Sequence, residues 1–195
     1  MALKIENRVG IAAPAEVIWE ILADIPGWEA WNPLYPKASG VIRIGETLTL
    51  TLALPGQKPE VIQPRVMDWV PLEQLLWSNS LGGGMVKTVR YIEIENLSAE
   101  SCIFSNGEVY TGLLSPWVVK MLRPSIKAGF AAFSEAMKTQ AEAAYAKVPE
   151  AVKAKARAKA SAKLAEARLE DLKPAAFPAA APLGFGKSVG RLKKS

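Results

Sequence analysis

Arg90 and Glu108 are the residues of this chain whose type and position could do chemistry. Both lie in segments that alternate with period two, the pattern of half-buried strands. In residues 86–96, Glu93 and Glu95 belong on the water side, which turns Val86, Thr88, Arg90, Ile92 and Ile94 inward. In residues 101–111 the inward set is Cys102, Phe104, Asn106, Glu108 and Tyr110. A slip of one residue would invert either set. With both inside, the guanidinium can hold an anionic or carbonyl oxygen. The carboxylate can accept a hydroxyl or act as an acid/base with a raised pKa. The structural alternative is an ion pair bracing the sheet, or charges at a rim in water, because a stranded buried charge costs several kcal/mol.

Other chemistries are bounded by what the sequence lacks. Its 195 residues include no histidine and one cysteine, Cys102. Triad hydrolysis, Cys-His nucleophiles and His-based metal sites are thereby excluded, and no metal or cofactor is expected. Cys102 reads as an inert buried residue, and a lone thiol suits a reducing compartment. Gly82-Gly83-Gly84 has the flexibility of a phosphate loop, but a strand pattern follows it where a helix N-terminus would be needed. It reads as a hairpin connection. The net charge of +5 is uneven: residues 1–146 carry 12 Lys/Arg against 15 Asp/Glu, and residues 147–195 carry 12 against 4. The basic character belongs to the C-terminal segment.

The element that must face the two charged residues is a helix from Ser115 to about Lys147. Leu122, Ile126, Phe130, Phe133, Met137, Ala141 and Tyr145 recur at steps of three and four, forming one apolar face. Ser115 is expected as N-cap with Pro116 in the first turn, and Pro124 is expected to kink or break the helix near Arg123. Such a helix spans ~45 Å, the width of a small domain. Upstream, strand 4–11 leads into a helix opening at Ala13-Pro14-Ala15-Glu16 and a turn or short helix at 24–33. The clearest strand is 46–54, with Leu48, Leu50, Leu52 and Leu54 on one face and threonines on the other. Further strands are expected at 59–69, 73–80, 86–96 and 101–111. Their hairpin spacing makes an antiparallel sheet of about six to seven strands in an α+β fold, with one face covered by the long helix. Residues 148–173 read as a basic Ala/Lys-rich helical extension that does not pack on the domain, and 174–195 as disordered. No run of eighteen apolar residues spans a bilayer and no secretory signal opens the chain, so a cytoplasmic location is expected.

Several local sequences carry a resemblance. Ala-Pro-Ala-Glu-Val-Ile-Trp-Glu-Ile-Leu-Ala-Asp at 13–24, then Trp28 and Trp31-Asn32-Pro33, resembles the opening of the SRPBCC (START-like, polyketide cyclase/dehydrase-related) superfamily. Leu75-Leu76-Trp77 and the run from Asn106 to Leu114 resemble its later strands, with Glu108 matching the family's Glu-x-x-x-Gly-Leu-Leu pattern. The resemblance covers about residues 3–146. It implies the helix-grip fold, in which a cavity lies between the long helix and a concave sheet. Members resembling this chain bind lipids, hormones, sterols or polyketides, or catalyse cyclisation or dehydration. Pro124 departs from the family's uninterrupted helix.

The expected function is binding, or carrying, a small hydrophobic ligand in that cavity. The lining is assigned to Leu50, Leu52, Trp77, Arg90, Ile92, Glu108, Tyr110, Phe130 and Phe133. Trp28, Trp31 and Trp69 are further aromatic candidates, each of which could equally be core. The alternative is a cyclase/dehydratase-type enzyme, free of metal and histidine, in which Glu108 and Arg90 are catalytic. A second alternative is an interaction module whose basic segment meets an acidic partner. Contact of that segment with nucleic acid or anionic membrane is supported by charge alone, without aromatic interleaving or a continuous apolar stripe.

Overall fold

Proline and glycine punctuation cuts the chain into the elements seen in a computed structural model, which describes residues 2–171, with side chains through Ala162. Strand β1 (Leu3–Ile11) leads to helix α1 (Ala15–Ala23) and a 3-10 turn at Pro26–Ala30. Seven strands follow: β2 (Lys37–Ser39), β3 (Thr49–Leu52), β4 (Glu60–Ile62), β5 (Arg65–Val70), β6 (Gln74–Leu81), β7 (Val86–Ser98) and β8 (Ser101–Thr111). Helix α2 (Ser115–Ala146) and helix α3 (Glu150–Asp171) complete the described elements. The chain divides into two compact units, Met1–Ala158 and Lys159–Ser195. Of the second, only α3 from Lys159 to Asp171 is described, and the expectation of disorder at 174–195 lies outside the described residues. No described helix is long and apolar enough to cross a membrane.

The main sheet is antiparallel, in the order β1-β8-β7-β6-β5. Its register puts Arg90 between Trp77 on β6 and Glu108 on β8, with Glu108 next to Ile5 on β1. Ile5, Trp77, Arg90, Ile92, Phe104 and Asn106 are buried, whereas Glu93 and Glu95 face out. Both inward sets expected from alternation are therefore in place. The strands number eight, divided between two sheets. The expected strand 59–69 is two, β4 and β5, because Pro64 has no N–H to give to a ladder. Its carbonyl instead accepts the Leu48 N–H at 2.9 Å. The strand rich in alternating leucines becomes β3, the centre of a separate sheet β2-β3-β4, which meets the main one through the Thr47–Arg65 bridge.

The apolar face of α2 covers the main sheet with Val119, Ile126, Phe130, Phe133, Met137 and Ala141, all buried. Burying side chains such as Phe130 and Phe133 contributes about 1.5–3 kcal/mol each, and cutting one back to alanine costs about 3–5 kcal/mol. Helix α2 continues unbroken through Pro124. The proline lies on the exposed side, where the backbone carbonyl it leaves unpartnered can meet water. Ser115 does not cap the helix. Gly112, at φ +109, turns the chain, Leu114 is the cap residue, and the buried Ser115 hydroxyl donates back to the Thr111 carbonyl. Gly129 faces the loop after α1, and a Cβ there would lie 2.9 Å from Leu34.

The first unit includes the start of α3, to Ala158. Arg157 on α3 donates to Glu100, at the β7–β8 turn, at 2.7 Å and to Glu150 at 2.8 Å, and Lys153 lies over the Tyr145 ring. The start of α3 thus touches the rest of the first unit through polar side chains.

Candidate ligand site at Arg90

Arg90 is 1% exposed, although its side chain is a permanent cation. Strand β7 turns it inward by parity, and aromatic rings from three directions receive it. Its guanidinium carbon lies 4.0 Å from the Phe130 ring centre, 5.6 Å from Tyr35, 5.8 Å from Phe133 and 5.9 Å from Trp77. These faces supply cation–π attraction, which strengthens when water is excluded. Phe130 and Phe133 come from α2 and Trp77 from β6. Tyr35 comes from the loop after α1, where two bonds hold it: the Asn32 Oδ1 accepts the N–H groups of Leu34 and Tyr35 at 3.0 and 3.1 Å. That is the geometry of an Asx turn, so Trp31-Asn32-Pro33 acts as a packing and turn element. Trp28, fixed by its indole N–H on the Leu22 carbonyl, stacks on Tyr35 at 5.7 Å and touches Trp77 and Phe133.

The polar contacts of Arg90 are few. Nη2 donates to the Asn106 Oδ1 at 2.7 Å. The Asn106 amide nitrogen in turn donates to the Phe130 carbonyl at 3.1 Å and to the Ser134 hydroxyl, clasping strand β8 to helix α2. Glu108 is the nearest carboxylate, with Oε2 4.0 Å from the Arg90 Nη1: close enough for charge attraction, too far for a hydrogen bond. That same oxygen accepts the Tyr110 hydroxyl at 2.7 Å. Nε and Nη1 of Arg90 are buried and have no hydrogen-bond partner among the described residues.

The phenols beside this cation are held neutral. Burial, reinforced by Glu108 and opposed by Arg90, pushes Tyr35 up to about 12. Tyr110 is raised further, first by burial and then by the Glu108 charge. Cys102 is pushed up to about 11 by burial, so its thiol is no nucleophile at neutral pH.

Of the residues expected at the site, Trp77, Arg90, Ile92, Glu108 and Tyr110 lie side by side on the inner face of β6, β7 and β8, and Phe130 and Phe133 close over them. Leu50 and Leu52 belong to β3 in the other sheet, the first buried and the second half-buried. Trp69 stacks on Trp19 at 5.9 Å, and Trp31 on Phe133 at 5.8 Å. The lining expected for the cavity is in mutual contact here, with the Arg90 guanidinium at its centre. Glu108 lies at the margin of this cluster, its side chain 17% exposed.

Sequence reasoning missed Tyr35, Ser134 and the clasp role of Asn106. An amide at an inward strand position opposite a helix was the available signal, since a buried amide needs partners.

Residues 2–142 match the family described as "Polyketide cyclase / dehydrase and lipid transport". No curated protein matches the sequence. Among solved structures, the chain is similar to the Zhui aromatase/cyclase from Streptomyces sp. R1128, at TM-score 0.61 and 19% identity over 73% of this chain and 94% of that one. It is similar to norcoclaurine synthase from Thalictrum flavum, at TM-score 0.56 and 20% identity over 71% and 86%. A START superfamily protein from Mycobacterium smegmatis gives TM-score 0.56 and 20% identity over 71% and 97%. At these identities the likeness is one of fold: the helix grip, with a large antiparallel sheet around a long C-terminal helix.

Proposed function

The chain belongs to the polyketide cyclase/dehydrase and lipid-transport family, and from that premise we propose that it binds a small hydrophobic ligand bearing an anionic or carbonyl oxygen, which Arg90 holds. The observation that carries this reading is the pair of unpartnered donors, Nε and Nη1, on a guanidinium walled by aromatic rings. A buried donor without an acceptor costs free energy, roughly 1–3 kcal/mol, and an oxygen of the ligand would remove that cost. The rings supply the apolar contact and Arg90 the orientation, the usual division of labour in a ligand pocket. In this reading the ligand enters beside Glu108, the partly exposed member of the cluster at 17%. The free Cys102 thiol fits a cytoplasmic setting.

The second reading is cyclase or dehydrase chemistry at the same place. It is favoured by the Glu108–Tyr110 hydrogen bond, which fixes one carboxylate oxygen and orients the other to accept a proton. Arg90 would then stabilise the oxyanion formed as that proton leaves a carbon beside a carbonyl.

The test uses an apolar anion, 1-anilinonaphthalene-8-sulfonate, titrated into the full chain by fluorescence. Binding is expected, with affinity lowered about tenfold or more in an Arg90→Leu/Glu108→Leu double variant, which replaces the charges with apolar groups and keeps the fold. Glu108→Gln should leave stability within about 1 kcal/mol, because no hydrogen bond joins Glu108 to Arg90. Unchanged affinity in the double variant would reject Arg90 as the oxygen-holding group. Native mass spectrometry of protein purified from its own host then names the ligand.

A further inference from the structure

The end of the sheet beyond Tyr110 carries apolar side chains that the fold leaves in water. Leu113 is 86% exposed, Trp117 63%, Met121 55% and Met85 49%, with Leu114 beside them at 40%. They form one surface. Trp117 and Met121 are four residues apart, hence on one side of α2, opposite the buried Val119 and Ile126. Met85 is joined to the start of the helix by the hydrogen bond from the Leu114 N–H to its carbonyl at 3.2 Å. Monomeric proteins seldom leave a Trp, two Met and two Leu together without a partner.

Charge identifies the partner. Lys120, Arg123 and Lys127 lie exposed on the same stretch of α2, and Lys87 is exposed two residues from Met85. Between Glu108 and Glu135 the chain has no acidic residue. The patch is therefore apolar, with cations along one flank of α2 and at Lys87. Residues 172–195 carry five Lys/Arg and no Asp/Glu, so their sequence offers these cations no opposite charge. A second copy placed patch to patch would oppose like charges. Trp, Met and Leu projecting from a helix with Lys and Arg along one flank match a bilayer surface: the apolar groups enter the headgroup–acyl boundary and the cations meet lipid phosphates.

We propose that this surface, formed by the Leu113–Leu114 turn, the exposed side of the first turns of α2 and Met85, docks the protein on membranes of anionic phospholipid. The patch begins three residues after Tyr110, so docking would bring the Glu108 end of the interior to the bilayer. The docking surface stands on exposure and charge and does not require the ligand reading.

Co-sedimentation of the full chain with vesicles tests it. The chain is expected to bind vesicles of phosphatidylcholine containing about one third phosphatidylglycerol, to bind pure phosphatidylcholine far less, and to release with salt. Trp117→Ser/Met121→Ser and Lys120→Glu/Lys127→Glu should each lower the bound fraction about tenfold without moving the melting temperature. Lys193→Ala/Lys194→Ala should leave most of the binding in place. Binding that survives both patch variants and disappears with the C-terminal lysines would assign the membrane contact to the basic segment and overturn the proposal. So would failure of the full chain to bind the anionic vesicles.

Discussion

Strands β7 and β8 carry a polar cluster on each face, and the two are built on opposite terms. Outside, Tyr91 lies over Gly107 and donates to the Glu6 carboxylate, whose other partner is the Lys4 ammonium at 2.6 Å, itself 5.0 Å from the Tyr91 ring centre. Each charge there has an opposite charge and access to water. Inside, Arg90 has one hydrogen bond to Asn106, a carboxylate 4.0 Å away, four aromatic faces and two donors with nothing to bind. The outer cluster is complete in the folded chain alone. The inner one keeps hydrogen-bonding capacity in reserve, and on this the proposed ligand site rests.

Breaking the inner cluster at Asn106 should have the largest effect. Asn106→Leu removes the hydrogen bond to the guanidinium and both bonds to α2, leaving a buried cation without its hydrogen bond and breaking the clasp between β8 and α2. A loss of about 3–5 kcal/mol is expected, read as a fall of roughly ten degrees in melting temperature. A fall of only a degree or two would mean that the rings alone hold Arg90, and the contrast between the faces would weaken.

Alkali should come next, and it strikes the inner face. The ordinary value for Tyr35 is 10.0, and burial raises it to about 12 in the folded chain. The raised folded value means that the unfolded chain gives up this proton first. Stability is therefore complete below pH 10 and lost as pH rises toward 12. Two pH units at about 1.4 kcal/mol each amount to roughly 3 kcal/mol. Denaturant unfolding followed from neutral pH to about 12 should show this loss, reduced in Tyr35→Phe. A variant that loses as much as the parent would place the alkaline limb in other phenols, Tyr110 first among them.

Much of the inner cluster was legible in the sequence. Alternation, with Glu93 and Glu95 demanding water, turns Arg90 inward, and the matching alternation of residues 101–111 turns Glu108 the same way, as the register shows. The helical stripe that includes Phe130, Phe133 and Met137 could face only that sheet. What alternation cannot give is distance across the chain. Tyr35 reaches Arg90 because the Asn32 turn folds a loop, and no period marks a loop. The Pro64 break was visible as a residue type. Apolar Val61 and Val66 on either side of it read as one strand, and only the competing pairing of Leu48 shows why it is two. Likewise Ser115 has the chemistry of a cap, but the positive φ of Gly112 directs its hydroxyl backward.

On the outer face, Gly107 is the point to press. A Cβ there would lie 2.1 Å from the Tyr91 hydroxyl oxygen and 2.3 Å from its ring carbon. Alanine is ordinarily favoured over glycine within a strand, so any loss measures the displaced ring. Gly107→Ala should cost about 1–3 kcal/mol, and adding Tyr91→Ala should recover part of it, since the collision is then gone. Additive losses in the double variant would show that Tyr91 contributes through packing elsewhere.

The smallest effect belongs to acid on the outer cluster. The Glu6 carboxyl is held below its ordinary value by the Lys4 ammonium first and the Tyr91 hydroxyl second. The ordinary value is 4.5 and the folded value lies lower, so the unfolded chain takes up this proton first as pH falls. The contribution of Glu6 is thus present above pH 4.5 and lost below it, the reverse of the Tyr35 case. Lys4 is 57% exposed and Glu6 28%, so water and salt screen the pair, and less than about 1 kcal/mol is expected. The measurement is the gap in melting temperature between the natural chain and Glu6→Gln. That gap should be about a degree or two at neutral pH and low salt, shrink in high salt, and close well below pH 4.5. A gap that stayed open in acid would show that Glu6 acts through the shape of its contact with Tyr91 rather than through charge, and the outer cluster would then resemble the inner one.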